Sequence, residues 1–587
     1  MTPKLKISRF VLKRMEKIKQ QCSGCLFGLM YDGALLIMGF NIESTIGELN
    51  YKEIQYKFPA ELDMCGVIKF GDVGDGDAEV NINQISHDVD FTDNPIMLTC
   101  ALGTLVDLKA QIIMHGKLEE IPYEEVTEEE LYRDFCFTRL QCGLKFLTDE
   151  RDTKTISRDM QSMRKNLACG SLAFYFEDAD KYITTSGLDG SLSSKTVADL
   201  LSSINNPSGE TKQKSKNKNT PPPTEYEIIN VKALTRKTRD LQEKSSSALQ
   251  MTLKQNEEKV IIPLQVDVMA MLYKKTTLGN VYNILIESIC RSLRLLEQSL
   301  VDLVSHEKNL SVPRILHINV PEFGHLLSCV YFDDFSEEDP YFQQKRKKLH
   351  HHFGLPTTRP YFRKANRFVF KNELVDAPLI NTHIGLKPTG LKESQQYIVQ
   401  GKYSYYHYKQ QNFDDSGWGC AYRSLQTLCS WFRWQGYIDR PIPTHEEIQK
   451  YLVRVGDKPK DFIGSKKWIG SIEVQTCLKG LLDVDSRILN VQSGRDLATK
   501  GSELAMHFQS QGTPIMIGGG VLAHTIIGVD FSPLTGDIKF LILDPHYTDR
   551  DDLSIIQGKG WCGWKGPEFW DKNAYYNLCM PQRPYIY

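Results

Sequence analysis

The residues of this chain that could do covalent chemistry are a cysteine where a polar turn meets a helix, and an Asp-x-His box far downstream. Residues Gln411 to Trp434 read QNFDDSGWGCAYRSLQTLCSWFRW. Asp414, Asp415, Ser416 and Gly417 are turn formers. From Cys420 onward the apolar Ala421, Leu425, Leu428, Cys429 and Phe432 recur at helical spacing and predict a helix with one buried face. A thiol on the first turn of a helix meets unpaired N–H groups and the positive end of the dipole, and both favour the thiolate. Gly419, with no side chain, leaves room for a substrate backbone beside that sulfur. One cysteine among fourteen is more often packing than nucleophile. A partner changes that balance. Asp544-Pro545-His546 directly follows the strand-like run Ile538 to Leu543. In extended backbone, residues i and i+2 share a face, and Pro545 keeps the segment extended. A thiol, an imidazole and a carboxylate to orient it are the parts of a thiol-protease triad.

These residues resemble a family. Gly417-Trp418-Gly419-Cys420-Ala421-Tyr422-Arg423-Ser424-Leu425-Gln426, followed by Asp544-Pro545-His546, is similar to the ubiquitin-fold-modifier-specific cysteine proteases of the longer, two-domain type. The resemblance implies a papain-like fold whose acid and base come from an Asp-Pro-His box, a device shared with the autophagins. Upstream, Tyr403-Ser404-Tyr405-Tyr406-His407-Tyr408 matches the segment whose last tyrosine helps form the oxyanion hole, which places that role on Tyr408. The run Gly518 to Thr525, GGGVLAHT, resembles the loop and strand beside the active site. Its His524 either faces the cleft, where it would contact substrate, or simply ends a strand.

Composition is that of an ordinary globular protein: 41% hydrophobic, 25% charged, formal net charge −2. That balance gives no chain-wide basic footprint for nucleic acid. Only Cys22 and Cys25 stand in a C-x-x-C, too little for a zinc site, so reduced thiols in a cytoplasmic compartment are expected. The N-terminal residues are basic but lack an apolar signal core. Cys25 to Phe40 is apolar, yet too short to span a membrane and broken by Tyr31-Asp32-Gly33, so it predicts a β-hairpin. No transmembrane helix is expected.

Further along, Cys65 to Phe70, Ala110 to Met114 and Leu172 to Phe176 read as strands, and Tyr123 to Leu147 as a helix with an acidic start. Asn205 to Thr224 has no large apolar residue and ends in three prolines, so it predicts a disordered insertion. Lys259 to Tyr273 reads as a strand and Asn280 to Val304 as a long amphipathic helix. Arg314 to Val320 and His325 to Phe332 read as two more strands. The basic run QQKRKKLHHH, Gln343 to His352, predicts solvated surface. In the last part, Thr444 to Val453 and Ser471 to Leu481 predict helices. Thr513 to Ile517, His524 to Phe531 and Ile538 to Leu543 predict a mostly antiparallel sheet turning at Thr535-Gly536-Asp537.

The expected organisation is α+β. The resemblance implies an MPN-like, non-catalytic α/β domain over residues 1–376 with the insertion at 205–224, then a papain-like cysteine protease domain over 377–587. The glutamate, His-x-His and aspartate of zinc-dependent MPN enzymes are missing from the N-terminal half. In the expected reaction Cys420 attacks the carbonyl after the modifier's C-terminal glycine while His546 moves the proton. Asp544 orients that ring, and Tyr408 with the Cys420 N–H holds the oxyanion. Trp418 and Gly419 would line the substrate channel, and no metal or organic cofactor is needed. The implied partners are the ubiquitin-fold modifier and its conjugates, with a membrane-anchored adaptor at the endoplasmic reticulum surface. Two alternatives stay open: a docking protein acting through its N-terminal domain, and an autophagin-like protease for another ubiquitin-fold protein.

Overall fold

A computed structural model describes residues 4–43, 51–71, 95–114, 117–169, 172–184, 195–205, 227–235, 260–307, 309–370, 373 and 378–585. The chain divides into two compact units, Met1–Leu355 and Pro356–Tyr587. The boundary expected at Ala377 lies outside the described residues, as does the insertion at 205–224 apart from Asn205, which ends a helix.

The first unit holds two sheets. In the eight-stranded one, Cys22–Tyr31 and Ala34–Phe40 form the expected hairpin, turning at Asp32 and Gly33, both with positive φ (45° and 72°). The seven-stranded sheet is built on two fourteen-residue strands, Phe135–Thr148 and Val260–Tyr273, paired antiparallel along their whole length. Ile228–Thr235 pairs with Phe135–Thr148 on its other side and with Leu172–Phe176, so segments from both sides of residues 206–226 share one sheet. The helix Leu278–Glu307 buries Leu285, Leu293, Leu296, Leu300 and Leu303 in the same core.

Two expectations fail here for identifiable reasons. The helix expected over Tyr123 to Leu147 is a short strand, Tyr123–Val126, a seven-residue helix, Glu128–Asp134, and then the long strand from Phe135. The acidic start was a real signal: Thr127 and Glu130 form a capping box on the short helix. Beyond it, Leu140, Cys142, Leu144 and Phe146 recur with period two, and long-range pairing on both edges makes that period win. The basic run at Gln343 to His352, expected as solvated surface, is only partly so. It lies in the helix Pro340–His352, where Arg346 and His350, one turn apart, are both buried.

At the centre of the long strand pair, Asp267 accepts from Arg139 Nη2 (2.6 Å) and Gln141 Nε2 (2.9 Å) and faces His317 Nε2 (2.9 Å), whose Nδ1 faces Ser328 Oγ (3.1 Å). Burial pushes this carboxyl up, but His317 and Arg139 outweigh it and hold it far below the usual range.

The second unit is a layered sheet whose order, by strand, is Ser486–Val491, Tyr576–Pro581, Ile515–Gly519, Leu522–Phe531, Ile538–Leu543 and Cys562–Lys565. Gln395–Ile398 pairs with one end of Leu522–Phe531. Successive side chains go to opposite faces: Met516, Leu541 and Leu543 pack with the Cys420 helix, while Ile515, Ile517, Phe540 and Ile542 pack with the helix Gly501–Ser510. The helix Cys420–Trp434 is buried from Cys420 to Phe432 on every side, not on one face as its apolar spacing predicts. Three of its polar residues are satisfied by neighbouring backbone, whereas Ser424 Oγ is buried without a hydrogen bond. Ser430 Oγ accepts from Ser404 N (2.9 Å), Thr427 Oγ1 from Tyr406 N (3.2 Å), and Gln426 donates to Pro443 O (2.9 Å).

Replacing Asp267 by Ala leaves Arg139 and His317 buried without their shared acceptor. The expected cost is about 3–5 kcal/mol, read as a lowered urea midpoint by far-UV circular dichroism.

Candidate active site

The loop ahead of Cys420 is held by one buried carboxylate. Asp415 accepts from Lys409 N (2.9 Å) through Oδ1, and through Oδ2 from Arg423 Nε (2.6 Å), with His445 Nε2 at 3.0 Å. Its backbone carbonyl accepts from Trp418 N and Gly419 N (3.2 and 2.8 Å). Arg423 stands one turn inside the helix, with its other nitrogens on Gln411 Oε1 (2.6 Å), Gln426 Oε1 (3.2 Å) and Gln410 O (3.1 Å). Loop and helix are thereby one piece, and Cys420 is its first helical residue. A Cβ on Gly419 would lie 2.4 Å from Asp415 Oδ2, so glycine is demanded here by the loop's own packing. Trp418 is 7% exposed and packs on Phe413, Tyr422 and His445 with ring centroids 5.4–5.9 Å apart, which makes it a brace for the same loop.

The strand Ile538–Leu543 delivers the acid and base. Asp544 Oδ1 accepts both the His546 backbone N–H (3.0 Å) and the ring Nδ1–H (2.6 Å), and Asp544 N donates to Trp561 O (2.8 Å). The segment Tyr405 to Tyr408 is zipped to this box. Tyr405 O–H donates to Asp544 O, and Tyr408 N to Pro545 O (2.9 Å). His407 Nδ1 lies against Tyr408 O and Tyr547 O (2.9 and 3.1 Å), and its Nε2 against Asp551 Oδ1 (2.6 Å). The Tyr408 ring stands at 89° to that of His546, centroids 5.3 Å apart.

Charge follows from this geometry. Burial pushes the Cys420 thiol up, but the His546 ring, the Ala523 backbone N–H and the Tyr408 hydroxyl together bring it below its ordinary value. Burial alone would lower His546; the Asp544 hydrogen bond and the sulfur raise it to about 9. The buried thiols Cys136, Cys562 and Cys579 go the other way, each pushed up to about 12. Cys420 and His546 thus favour a thiolate–imidazolium pair. His546 Nε2 is buried and makes no hydrogen bond of normal geometry, which leaves that nitrogen available for proton transfer. Tyr408 is raised by burial and by the sulfur, so its hydroxyl keeps its proton and can donate.

His524 faces the site. Its ring lies 5.2 Å from those of His546 and Phe569, and its Nε2 is 3.8 Å from Asp544 Oδ2. His524, Asp544 and His546 offer ligand atoms all within 4.8 Å of one another, the one such group among the described residues. One Asp544 oxygen is already taken by the His546 N–H groups, and the three are read as an acid–base set. The triad residues and Tyr408 are thus brought together by structure. The Asp415–Arg423–His445 clamp and the Ala523 N–H had no expectation attached. The clamp had a trace in sequence: Arg423 is a charge among apolar helix positions, three residues past the cysteine.

Arg423→Met is expected to cost about 3–5 kcal/mol by stranding Asp415, and to slow iodoacetamide labelling of Cys420. Adding Asp415→Asn should recover part of both. All seven tryptophans lie between residues 418 and 570, so fluorescence in urea reads the second unit directly.

The model of peptidase family C78 matches residues 394–579. That of an insect UFM1-specific protease N-terminal MPN-like domain matches 1–131, and that of the N-terminal region of ubiquitin-fold modifier 1 specific protease 2 matches 157–375. A probable Ufm1-specific protease 2 of Drosophila melanogaster is 52% identical over 610 residues, covering all of both chains. Ufm1-specific protease 2 of Homo sapiens is 50% identical over 326 residues, 55% of this chain and 69% of that one. The crystal structure of UfSP from C. elegans superposes over the whole of both chains with a TM-score of 0.68 at 22% identity, a likeness of fold. The chain belongs to the Ufm1-specific protease family, as a cysteine protease with an MPN-like N-terminal part and a C-terminal C78 peptidase domain.

Proposed function

We propose that this protein cleaves the bond after the C-terminal glycine of the ubiquitin-fold modifier Ufm1, releasing it from lysine conjugates and trimming its precursor. The observation that carries the reading is the Asp544–His546 hydrogen bond (2.6 Å) together with a Cys420 at the start of its helix whose thiol the His546 ring brings below its ordinary value. The Cys420 sulfur adds to the carbonyl carbon. Tyr408 O–H and the Cys420 N–H donate to the developing oxyanion, and His546 gives its proton to the departing amine. The thioester that remains is hydrolysed by water, whose proton returns through His546. Asp544 keeps Nδ1 protonated and steadies the positive ring. No step calls for a metal or an organic cofactor.

The relatives bear the modifier's name, and this supports the substrate; peptidase chemistry at the site supports the reaction. The reading extends to a cytoplasmic enzyme brought to the endoplasmic reticulum by an adaptor, with the N-terminal unit docking and not cutting. Family resemblance supports that extension, and among the described residues no helix is long and apolar enough to cross a membrane.

The test is hydrolysis of Ufm1 bearing a C-terminal fluorogenic amide, beside ubiquitin and an autophagin substrate treated alike. Release from Ufm1 alone, abolished by Cys420→Ser, is expected; release from another modifier and not from Ufm1 would overturn the assignment. Tyr408→Phe removes one oxyanion donor and should lower kcat by about 10²–10³. In the wild type, activity should fall as pH rises through about 9, where His546 loses the proton it must donate. Asp544→Asn removes the strongest influence raising that ring, so its alkaline limb should move toward neutrality.

A further inference from the structure

The triad accounts for one oxygen of Asp544. Oδ1 carries both hydrogen bonds to His546, whereas Oδ2 points to His524 Nε2 at 3.8 Å. Sheet register explains the meeting. Thr525 pairs with Leu543 across the antiparallel strands, so the next rung sets His524 opposite Asp544 on one face. The neighbouring residue, Ala523, has its backbone beside the Cys420 sulfur and helps to lower that thiol. One short piece of strand therefore touches both ends of the catalytic relay.

We propose that His524 is a positioning residue: its Nε2–H holds the outer oxygen of Asp544, which keeps the inner oxygen on His546. The ring is fixed for this, wedged against Phe569 and Trp570 with centroids 5.2 and 6.1 Å away. A separation of 3.8 Å is longer than a hydrogen bond, and catalytic contacts of this kind tighten when substrate closes the site. Charge supports the role. The charged or titratable groups around His524 are Asp544, His546 and Lys565, and burial brings its own pKa down to about 4. A neutral ring does not compete with His546 for the carboxylate's charge, nor repel the imidazolium beside it. It also cannot serve as the general acid, which leaves that task to His546.

The inference rests on the proposed reaction, but one of its readouts needs no substrate. His524→Met fills the space without a donor, and His524→Gln restores an N–H. For each, the pH dependence of Cys420 alkylation by iodoacetamide is measured, with kcat and KM on the fluorogenic Ufm1. The Met variant should lose kcat on the order of tenfold to a hundredfold at unchanged KM, and the acid limb of alkylation, where the thiolate forms against the imidazolium, should move up by about one pH unit. The Gln variant should regain most of both. Wild-type kcat and alkylation profile in the Met variant overturn the proposal. So does a rise in KM alone, which would make His524 a substrate contact, and so does equal loss in both variants with the limb unmoved, which would make it packing. A shifted and rescued limb in a protein that does not cut Ufm1 would sustain the positioning role while the substrate assignment falls.

Discussion

A carboxylate and a guanidinium, both out of solvent, decide where the sulfur stands. Asp415 and Arg423 meet at 2.6 Å with His445 on the same oxygen; the other carboxylate oxygen takes the Lys409 N–H, and the Asp415 backbone carbonyl takes those of Trp418 and Gly419. Removing charges from water is expensive, and such a pair persists when its atoms find partners, as each nitrogen of Arg423 and both carboxylate oxygens of Asp415 do here. In return the loop has one conformation, and the helix start, with its unpaired N–H groups, is aimed at one place. Gly419 and Trp418 belong to this device as much as to any substrate channel.

The opposite wall is tied with equal care. Tyr405, His407 and Tyr408 bind the backbone of Asp544, Pro545 and Tyr547, so Tyr408 and the Asp544–His546 box are held as one body. The catalytic arrangement is then two rigid pieces, a helix with its loop and a strand end with its zipped partner, meeting at a sulfur and an imidazole. Preorganisation of this kind is what lets a few donors count for so much in a transition state.

What could be read from sequence was what is local or rests on a fixed period. Cysteine at a turn-to-helix junction, an acid and histidine two apart after a strand, and the Asp32-Gly33 hairpin all appear as expected. The Tyr123 to Leu147 segment misled because a capped helix start was extended across a change of period at Phe135, and only pairing with Val260–Tyr273 discloses the strand. The strand Tyr576–Pro581 escaped notice for a related reason. It is short, and its neighbours lie far back in the chain, at Ser486–Val491 and Ile515–Gly519. The full burial of the Cys420 helix was hidden because its polar residues look solvent-facing until the backbone that satisfies them is in view.

That late strand has a bearing on biogenesis. It fills an interior slot between two strands made well before it, and the first of them, Ser486–Val491, finds its sheet neighbour nowhere else. During translation Cys420, Asp544 and His546 are all made before the sheet beside them can close. The sheet can therefore close only after Tyr576–Pro581 has been made, and a product cut short of that strand would carry an unpaired edge at Ile515–Gly519.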